Sequence, residues 1–558
     1  MKDIYVLGIE FGTDSARALL VNAQNGEETD TEVALYPRWM AGKYTAKSIA
    51  QFRHHPADYI DALQQCVGGI TSRHPELADR IAALSVDTTA STPCLVDKEA
   101  TPLALKAEFA DNPDAMFVVW KDHTGQQEAD EINLLLSRQE VDYSLHSGRF
   151  YSVENFWCKV LHALRHSPEL QREAYSAIEA CDYIPALLTG CRNASSVKMG
   201  RCSAASKMMW AEEWGGYPPA EFFAKLDPLL LPILTHLPRQ NYSCEEQAGT
   251  LTPEWAEKLG LRAGIPVGIG NVDAHSGGVG GGIRRGTMVL NLGTSACFMA
   301  VMPKEEMGDT IVEGIFGQAE GSILRGMTGF ESGLSAFGDD FDWFRNLMAW
   351  PLRTIIGQDT SIDPATRRRI IETAEKQILE AAAREAEKLP ITIHSPLATD
   401  WFNGRRCPYA NNTLTASMEG LTLSTSAAEI YYAIAEATAF ATKRCIEHYI
   451  HYGIAAERLI AIGGIARKSP FVVQLLSDAM NMPVEVPSCL QAGTLGAAIH
   501  AAVVAGLYPS VSEAQKVLCK PASLHYQPRA ERHALLERRY ARYESLGAFA
   551  EAEQKKAY

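Results

Sequence analysis

The sequence predicts an α/β protein built from two related halves, and three observations carry this. A strand–turn–strand pattern occurs twice, as LGIEFGTDSARALLV (7–21) and LNLGTSACFMAV (290–301), with Gly12-Thr13 corresponding to Gly293-Thr294. Each copy is followed by helical stretches and then by an apolar strand that ends in small residues. These strands are IAALSVDTTAST (81–92) in the first half and LIAIGGIARKS (459–469) in the second, the pattern of an internal duplication. The chain of 558 residues is also too long for a single hydrophobic core.

Taken in order, the first elements are three strands, IYVLGIEF, ARALLVNA and EETDTEVALYP, with Asn25-Gly26 as the turn between the last two. A helix is predicted around residues 56–73, followed by the strand IAALSVDT. Residues 126–190 read as mainly helical, broken at Gly148 and Pro185. The glycine-rich stretch GIPVGIGNVDAHSGGVGGGIRRG (264–286) is the sharpest change of composition, and it places a boundary near residue 282 between domains 1–282 and 283–558. Downstream, residues 365–388 form a charged amphipathic helix. A more apolar helix spans 426–444, with Ile430, Ile434, Ala437 and Ala441 on one face. The strand RLIAIGG, a turn and the helix SPFVVQLLSDAM follow, and the polar tail after residue 510 reads as a packing helix.

Composition narrows the function. With 52 Lys and Arg against 67 Asp and Glu, the net charge is −15, which argues against nucleic acid or an acidic membrane as partner. Local basic pairs such as Arg405-Arg406 and Arg467-Lys468 still allow a phosphate ligand. The N-terminal MKDIYVLGIEFG has no basic-then-apolar signal pattern, and no apolar run reaches about 18 residues. The 12 cysteines are scattered without a C-x-x-C pair, so free thiols in a reducing cytoplasm are expected. The oligomeric state stays open, a homodimer being compatible with it.

The candidate chemistry gathers at a few small-residue motifs. Each Gly-Thr turn offers backbone N–H groups and hydroxyls to an anionic phosphate, and two of them suggest a nucleotide held from both sides. Two residues before the glycine stands a polar residue inside the apolar run, Glu10 in one copy and Asn291 in the other. Gly463-Gly464 lies between a strand and a helix, where missing side chains let a flat ring approach the backbone or simply allow a tight turn. The third glycine of a dinucleotide fingerprint is replaced by Ile283, and no P-loop pattern occurs. Asp273, in GNVDAHSGG, has small neighbours, and its carboxylate is placed to accept a proton from an attacking hydroxyl or to cap the next helix. Lys207 in RCSAASKMMW and Glu331 in MTGFESGLSAFG can hydrogen-bond a polyol, and equally can be surface residues. His54-His55 and His123 read as core or capping histidines before metal ligands.

Together these residues resemble the FGGY family of carbohydrate kinases over nearly the whole chain. The segments that carry the resemblance are FRHHPADYI (52–60), VDTTASTP (86–93), MFVVWKDHT (116–124), GRCSAASK (200–207), GFESGLSAFGD (329–339), DWFNGRRCPYAN (400–411) and IGGIARKSP (462–470). The resemblance implies an actin-like ATPase fold, two duplicated RNase-H-like domains around a central cleft. It implies ATP across the cleft, with sugar deeper and mostly on the first domain. Asp273 resembles the family's catalytic base. Gly12, Thr13 and Arg17 match the first phosphate turn, and Gly293 and Thr294 the second, while Gly463, Gly464 and Lys468 match positions lining the adenosine. Ala90, Lys207, Asp273 and Glu331 match the residues that hold the sugar. The family's first turn usually carries Asp where this chain has Glu10, a position associated with Mg²⁺ and its waters, and the longer side chain puts the ion's placement in question. The helix signature also departs from the family at Ala435 in EIYYAIAE.

The expected reaction is ATP- and Mg²⁺-dependent phosphorylation of the terminal hydroxyl of a ketopentose, L-ribulose to L-ribulose 5-phosphate. The alternatives are another pentulose or pentitol, such as D-ribulose, D-xylulose or ribitol, and a non-catalytic actin-like sugar or nucleotide sensor. A chaperone of the same fold would need a peptide-binding domain larger than the residues after 510 supply, and a filament protein has no use for Asp273, Lys207 and Glu331 around a small cavity.

Overall fold

The computed structural model describes residues 3–557. The chain divides into two compact units, one of Met1–Arg285, Met299–Phe330 and Cys489–Lys520, the other of Gly286–Phe298, Glu331–Ser488 and Pro521–Tyr558. The first unit therefore takes two segments from the second half of the sequence, whereas the second unit is built from that half alone.

The first unit is built on a sheet whose strands are β1 (Tyr5–Phe11), β2 (Ser15–Asn22), β3 (Glu28–Leu35), β4 (Ile81–Thr88), β5 (Gln247–Thr250), β6 (Pro266–Gly268) and β7 (Asn271–Val272). Their order is β5-β6-β4-β1-β2-β3, with β7 also on β4. β1, β2 and β3 pair antiparallel, while β1, β6 and β7 run parallel to β4. β1 reads as an almost unbroken apolar run because both of its faces are covered. Leu7, Ile9 and Phe11 point into a core shared with the helix Pro56–Arg73. Gly8, on the opposite face, lies under the helix Ala492–Val504, where a Cβ would come within 2.0 Å of the Thr494 carbonyl oxygen. Period-two alternation then sends Glu10 to the same face as Gly8. β3 is an edge strand, and its mix of Glu, Asp and Thr suits that place. A second core in this unit joins the helices Gln126–Leu136, Phe156–His166 and Ala220–Leu226 around Trp157 and Phe223.

The second sheet repeats this plan. Its strands are β8 (Thr287–Leu292), β9 (Ala296–Pro303), β10 (Met327–Leu334), β11 (Arg458–Ile462), β12 (Val484–Pro487) and β13 (Ala522–Tyr526), in the order β10-β9-β8-β11-β12-β13, with the strand Gly317–Glu320 added outside β10. The run β3-β2-β1-β4 of the first sheet corresponds to β10-β9-β8-β11, and β8 is parallel to β11 as β1 is to β4. The helix Ala427–His451 begins with a capping box between Ser426 and Glu429 and is buried along most of its length. The apolar face foreseen at Ile434, Ala437 and Ala441 is thus one side of a helix enclosed nearly all round.

Three local expectations need correction. Pro185 lies inside the helix Ala180–Leu188 and does not break it. A proline deprives the carbonyl four residues earlier of its donor, and here that carbonyl, on Cys181, faces Gly270 so closely that a Cβ on Gly270 would lie 1.8 Å from it. The region 126–190 also contains a strand, Ser176–Glu179, and it ends a 3₁₀ turn at Gly148 with φ +72° as expected for a left-handed position. The tail after 510 is not one packing helix: it comprises the helix Val511–Leu518, the strand β13 antiparallel to β12, and the helix Ala530–Ala557. Among the described residues, no helix is long and apolar enough to cross a membrane.

Candidate active site

The first Gly-Thr turn, residues 12–14, joins β1 to β2, and the Gly12 N–H donates to the Ser15 carbonyl at 2.9 Å. Antiparallel register sets Glu10 opposite Arg17, and their side chains meet at 3.3 Å. The other Glu10 oxygen accepts from the Thr494 hydroxyl at 2.7 Å. Arg17 also lies 3.9 Å from Asp14, while the Thr13 hydroxyl accepts from the Trp120 indole N–H at 3.1 Å.

Parallel register on the other side sets Glu10 beside Asp87 on β4, and Asp87 in turn beside Asn271 on β7. β1, β4 and β7 all end here, so Glu10, Asp87 and Asp273 gather at the carboxyl ends of parallel strands, the usual ligand edge of an open α/β sheet. Asp87 is fully buried, and neither carboxyl oxygen has a hydrogen-bond partner. Burial first, and then the Glu10 and Asp273 carboxylates, push the Asp87 carboxyl well above the ordinary carboxylate range, against the opposing pull of Ser276 and Arg17.

Asp273 opens the helix Asp273–Gly280, and one of its oxygens accepts the Ala274 N–H at 2.7 Å. The N-cap of this helix is Val272, without a side-chain cap bond, so Asp273 is its first residue and not its cap, a place where a carboxylate is favoured by the helix dipole. The glycines around it have a packing cause. A Cβ on Gly280 would stand 1.9 Å from the Ala492 carbonyl oxygen, and one on Gly496 would stand 1.9 Å from that of Ser276. What approaches closely is thus the backbone of the helix Ala492–Val504, which locks the Asp273 helix in place.

Ala90 follows β4, and its neighbours are tied to Glu179: the Ser91 hydroxyl donates to that carboxylate and the Thr92 N–H does so at 2.7 Å. Lys207 ends the helix Arg201–Lys207, is almost fully buried, and holds its ammonium 4.0 Å from the centre of the Phe316 ring. Burial raises the Glu179 carboxyl, against the opposing pull of Ser91, Thr92, Lys159 and Lys207.

In the second unit the turn 293–295 joins β8 to β9, and the Gly293 N–H bonds the Ser295 carbonyl at 3.0 Å. Thr294 is exposed at its tip. Gly463 has φ +92°, and a Cβ there would meet the Leu292 carbonyl at 2.7 Å and the Asn291 side chain at 2.8 Å, so only glycine suits the position. Gly464 and Lys468 bound a short helix, Gly464–Lys468, where the sequence suggested a turn, and Lys468 is exposed. Glu331 is buried on β10. Ala90, Lys207 and Asp273 belong to the first unit and Glu331 to the second. Of the basic pairs, Arg405 is committed to Glu551 at 2.9 Å and to the Tyr409 carbonyl at 3.0 Å, and Arg467 to the Pro487 carbonyl at 3.0 Å.

The N-terminal domain of the FGGY family of carbohydrate kinases matches residues 5–280, and its C-terminal domain matches residues 288–505. The chain belongs to the FGGY family of carbohydrate kinases. It is 39% identical to a ribulokinase of Vibrio parahaemolyticus over 97% of this chain and 95% of that one. A ribulokinase of Halalkalibacterium halodurans is 33% identical over 98% of this chain and 95% of its own. Among solved structures, xylulose kinase from Rhodospirillum rubrum superposes with a TM-score of 0.76 at 18% identity, covering 99% of this chain and all of that one, a likeness of fold. The fold is the two-domain actin-like architecture of these kinases, and the protein is an ATP-dependent sugar kinase.

The first turn and the acidic edge of this FGGY kinase also gather residues that no sequence motif marks. Asp87 could have been found as the lone acid at the end of an apolar strand, just as Glu10 ends β1. Thr494 and Trp120 carry no local signal, because they reach the first turn from 484 and 107 residues away. The histidines are structural: His54 bonds the Tyr59 hydroxyl at 2.8 Å in the core, and His55 caps the helix Pro56–Arg73 by accepting the Ala57 N–H. Glu128, His162 and His166 also approach one another, but Arg165 lies 3.5 Å from the same Glu128 carboxylate and opposes a cation there.

Proposed function

We propose that this kinase transfers the γ-phosphoryl group of ATP to the terminal hydroxyl of a ketopentose, converting L-ribulose to L-ribulose 5-phosphate. The observation that carries this reading is 39% identity to a protein named ribulokinase over nearly all of both chains. In it, Asp273 accepts the proton of the attacking hydroxyl while the new O–P bond forms and the bond to the leaving ADP oxygen breaks. The Ala274 N–H fixes the orientation of that carboxylate. Ala90, Lys207 and Glu331 hold the sugar. Gly12, Thr13, Arg17, Gly293 and Thr294 contact the phosphates, and Gly463, Gly464 and Lys468 line the adenosine.

The donor set beside the first turn suits Mg²⁺. Glu10 and Asp87 offer oxygen atoms only, and the Asp87 oxygens are buried without a partner. Mg²⁺ carried with ATP would neutralise charge on the phosphoryl oxygens. Arg17, 3.3 Å from Glu10, offsets part of the carboxylate charge at the same edge.

Sugar-dependent ADP release across L-ribulose, D-ribulose, D-xylulose and ribitol tests the substrate, with the highest kcat/KM expected for L-ribulose. A higher value for any other member reassigns the substrate. Asp273→Asn is expected to abolish turnover while ADP still binds, and near-normal turnover in that variant would remove Asp273 from the role of base.

A further inference from the structure

The Lys159 side chain, on the helix Phe156–His166, is almost completely buried and touches neither proposed ligand, yet its ammonium gathers three backbone carbonyls. It donates to Ser91 at 2.7 Å, to Val119 at 2.9 Å and to Trp120 at 3.1 Å. Ser91 follows Ala90 in the loop after β4 and is also held by Glu179. Trp120 turns its indole N–H to the Thr13 hydroxyl at 3.1 Å, in the first Gly-Thr turn. A single buried ammonium thus fixes two loops, one ending at the proposed sugar contact and the other at the proposed phosphate contact. An ammonium brings three donors and no acceptor, so all three are used. Its desolvation is a large cost for a residue with only a packing task, since an apolar side chain would fill the same space without it.

We propose that Lys159 is a positioning residue that couples the sugar-binding loop to the first phosphate turn, holding Ala90 and, through Trp120, Thr13 in register. This rests on the roles given above to Ala90 and Thr13. Burial brings the Lys159 ammonium down to about 7, and Glu179, Glu154 and Cys158 oppose that shift while Arg53 adds to it. Arginine at this position would keep its charge and planar donors but not the compact three-way geometry.

The test compares Lys159→Met, Lys159→Arg and Trp120→Phe with the wild type, reading KM for L-ribulose, kcat, ADP affinity and thermal stability. Lys159→Met is expected to raise the sugar KM at least tenfold and to lower kcat, with ADP affinity within about twofold, and Lys159→Arg to recover part of the sugar KM. Trp120→Phe keeps an aromatic side chain but removes the indole N–H and with it the bond to Thr13; it is expected to lower kcat several-fold at unchanged sugar KM and unchanged melting temperature. An unchanged sugar KM in folded Lys159→Met overturns the proposal. If Lys159→Met does not fold, the decision falls to Trp120→Phe, and an unchanged kcat there overturns the coupling. Failure of the underlying reading is told apart by the wild-type enzyme: absence of L-ribulose-dependent ADP release removes the reading, whereas full wild-type activity beside unaffected Lys159 and Trp120 variants removes this inference alone.

Discussion

Gly496→Ala should damage catalysis from a position that touches no proposed ligand. The added methyl carbon would stand 1.9 Å from the Ser276 carbonyl oxygen, whereas real contacts of this kind do not fall below 3.0 Å. The helices Ala492–Val504 and Asp273–Gly280 must therefore part by about 1 Å, because a close-packed interior offers no void to absorb the atom. If the Asp273 helix yields, the carboxylate moves with it, since Ser276 lies within one turn of Asp273. If the other helix yields, Thr494 leaves its 2.7 Å bond to Glu10. Both routes end at the site. A misplacement of about 1 Å costs on the order of 100-fold in rate, and overpacking costs about 1–3 kcal/mol in stability. Steady-state ADP release with L-ribulose reads the first quantity and calorimetry the second. Gly68→Ala, in the helix Pro56–Arg73 with nothing within 4 Å of its new Cβ, is the control and should retain full activity. A Gly496→Ala enzyme with kcat within twofold of wild type would refute the claim that this helix pair sets the position of the site.

Two further substitutions probe charge. Asp87 has a raised folded-state affinity for protons, so the native state binds more protons than the unfolded chain above about pH 4, and stability falls as pH rises from there. Asp87→Asn should flatten this slope without divalent cation and raise the Mg²⁺ concentration needed for half-maximal rate; melting temperatures against pH that fall as steeply as wild type would contradict it. Arg539 and Glu436 form a fully buried bidentate pair at 2.6 Å, and Arg539 also donates to the carbonyls of Thr392, Ser395 and Pro396. Arg539→Met strands the Glu436 charge and should destabilise the second unit by about 3–5 kcal/mol, seen as an earlier calorimetric transition, whereas an unchanged transition would count against the pair.

The architecture was legible wherever periodicity and duplication act locally. β1, β2, β4 and the helix Pro56–Arg73 stand where apolar runs and turn residues put them, because burial on one or both faces writes directly into sequence. Pro185 reads locally as a helix break, whereas the structure keeps it within a helix whose Cys181 carbonyl, the one left without the proline's donor, packs against Gly270, 85 positions later. Gly280, in the glycine-rich stretch after Asp273, makes room for a helix that arrives more than 200 residues downstream, a partner no local pattern announces. Asp87 was passed over for the opposite reason: its chemistry comes from two other carboxylates that only sheet register brings alongside.

That register also explains how a glutamate stands at position 10. The two halves share strand order and parallel pairing, yet the pair Glu10 and Asp87 in the first becomes Asn291 and Ile462 in the second. Carboxylates are concentrated in one copy alone, and the other copy spends the equivalent place on an amide packed against Gly463. Within the acidic copy, the extra methylene of glutamate is not idle reach towards a ligand. It carries one oxygen to Thr494, and the room for it comes from Gly493, where a Cβ would stand only 3.0 Å from the Glu10 carboxyl carbon. An aspartate would fall short of Thr494 and leave the space beside Gly493 unfilled. The longer acid, the glycine and the threonine therefore form one fitted set, in which the carboxylate is held from the helix Ala492–Val504 as well as from Arg17. The departure at position 10 is compensated by chain geometry, and the acidic edge next to the first turn keeps its charge and its place.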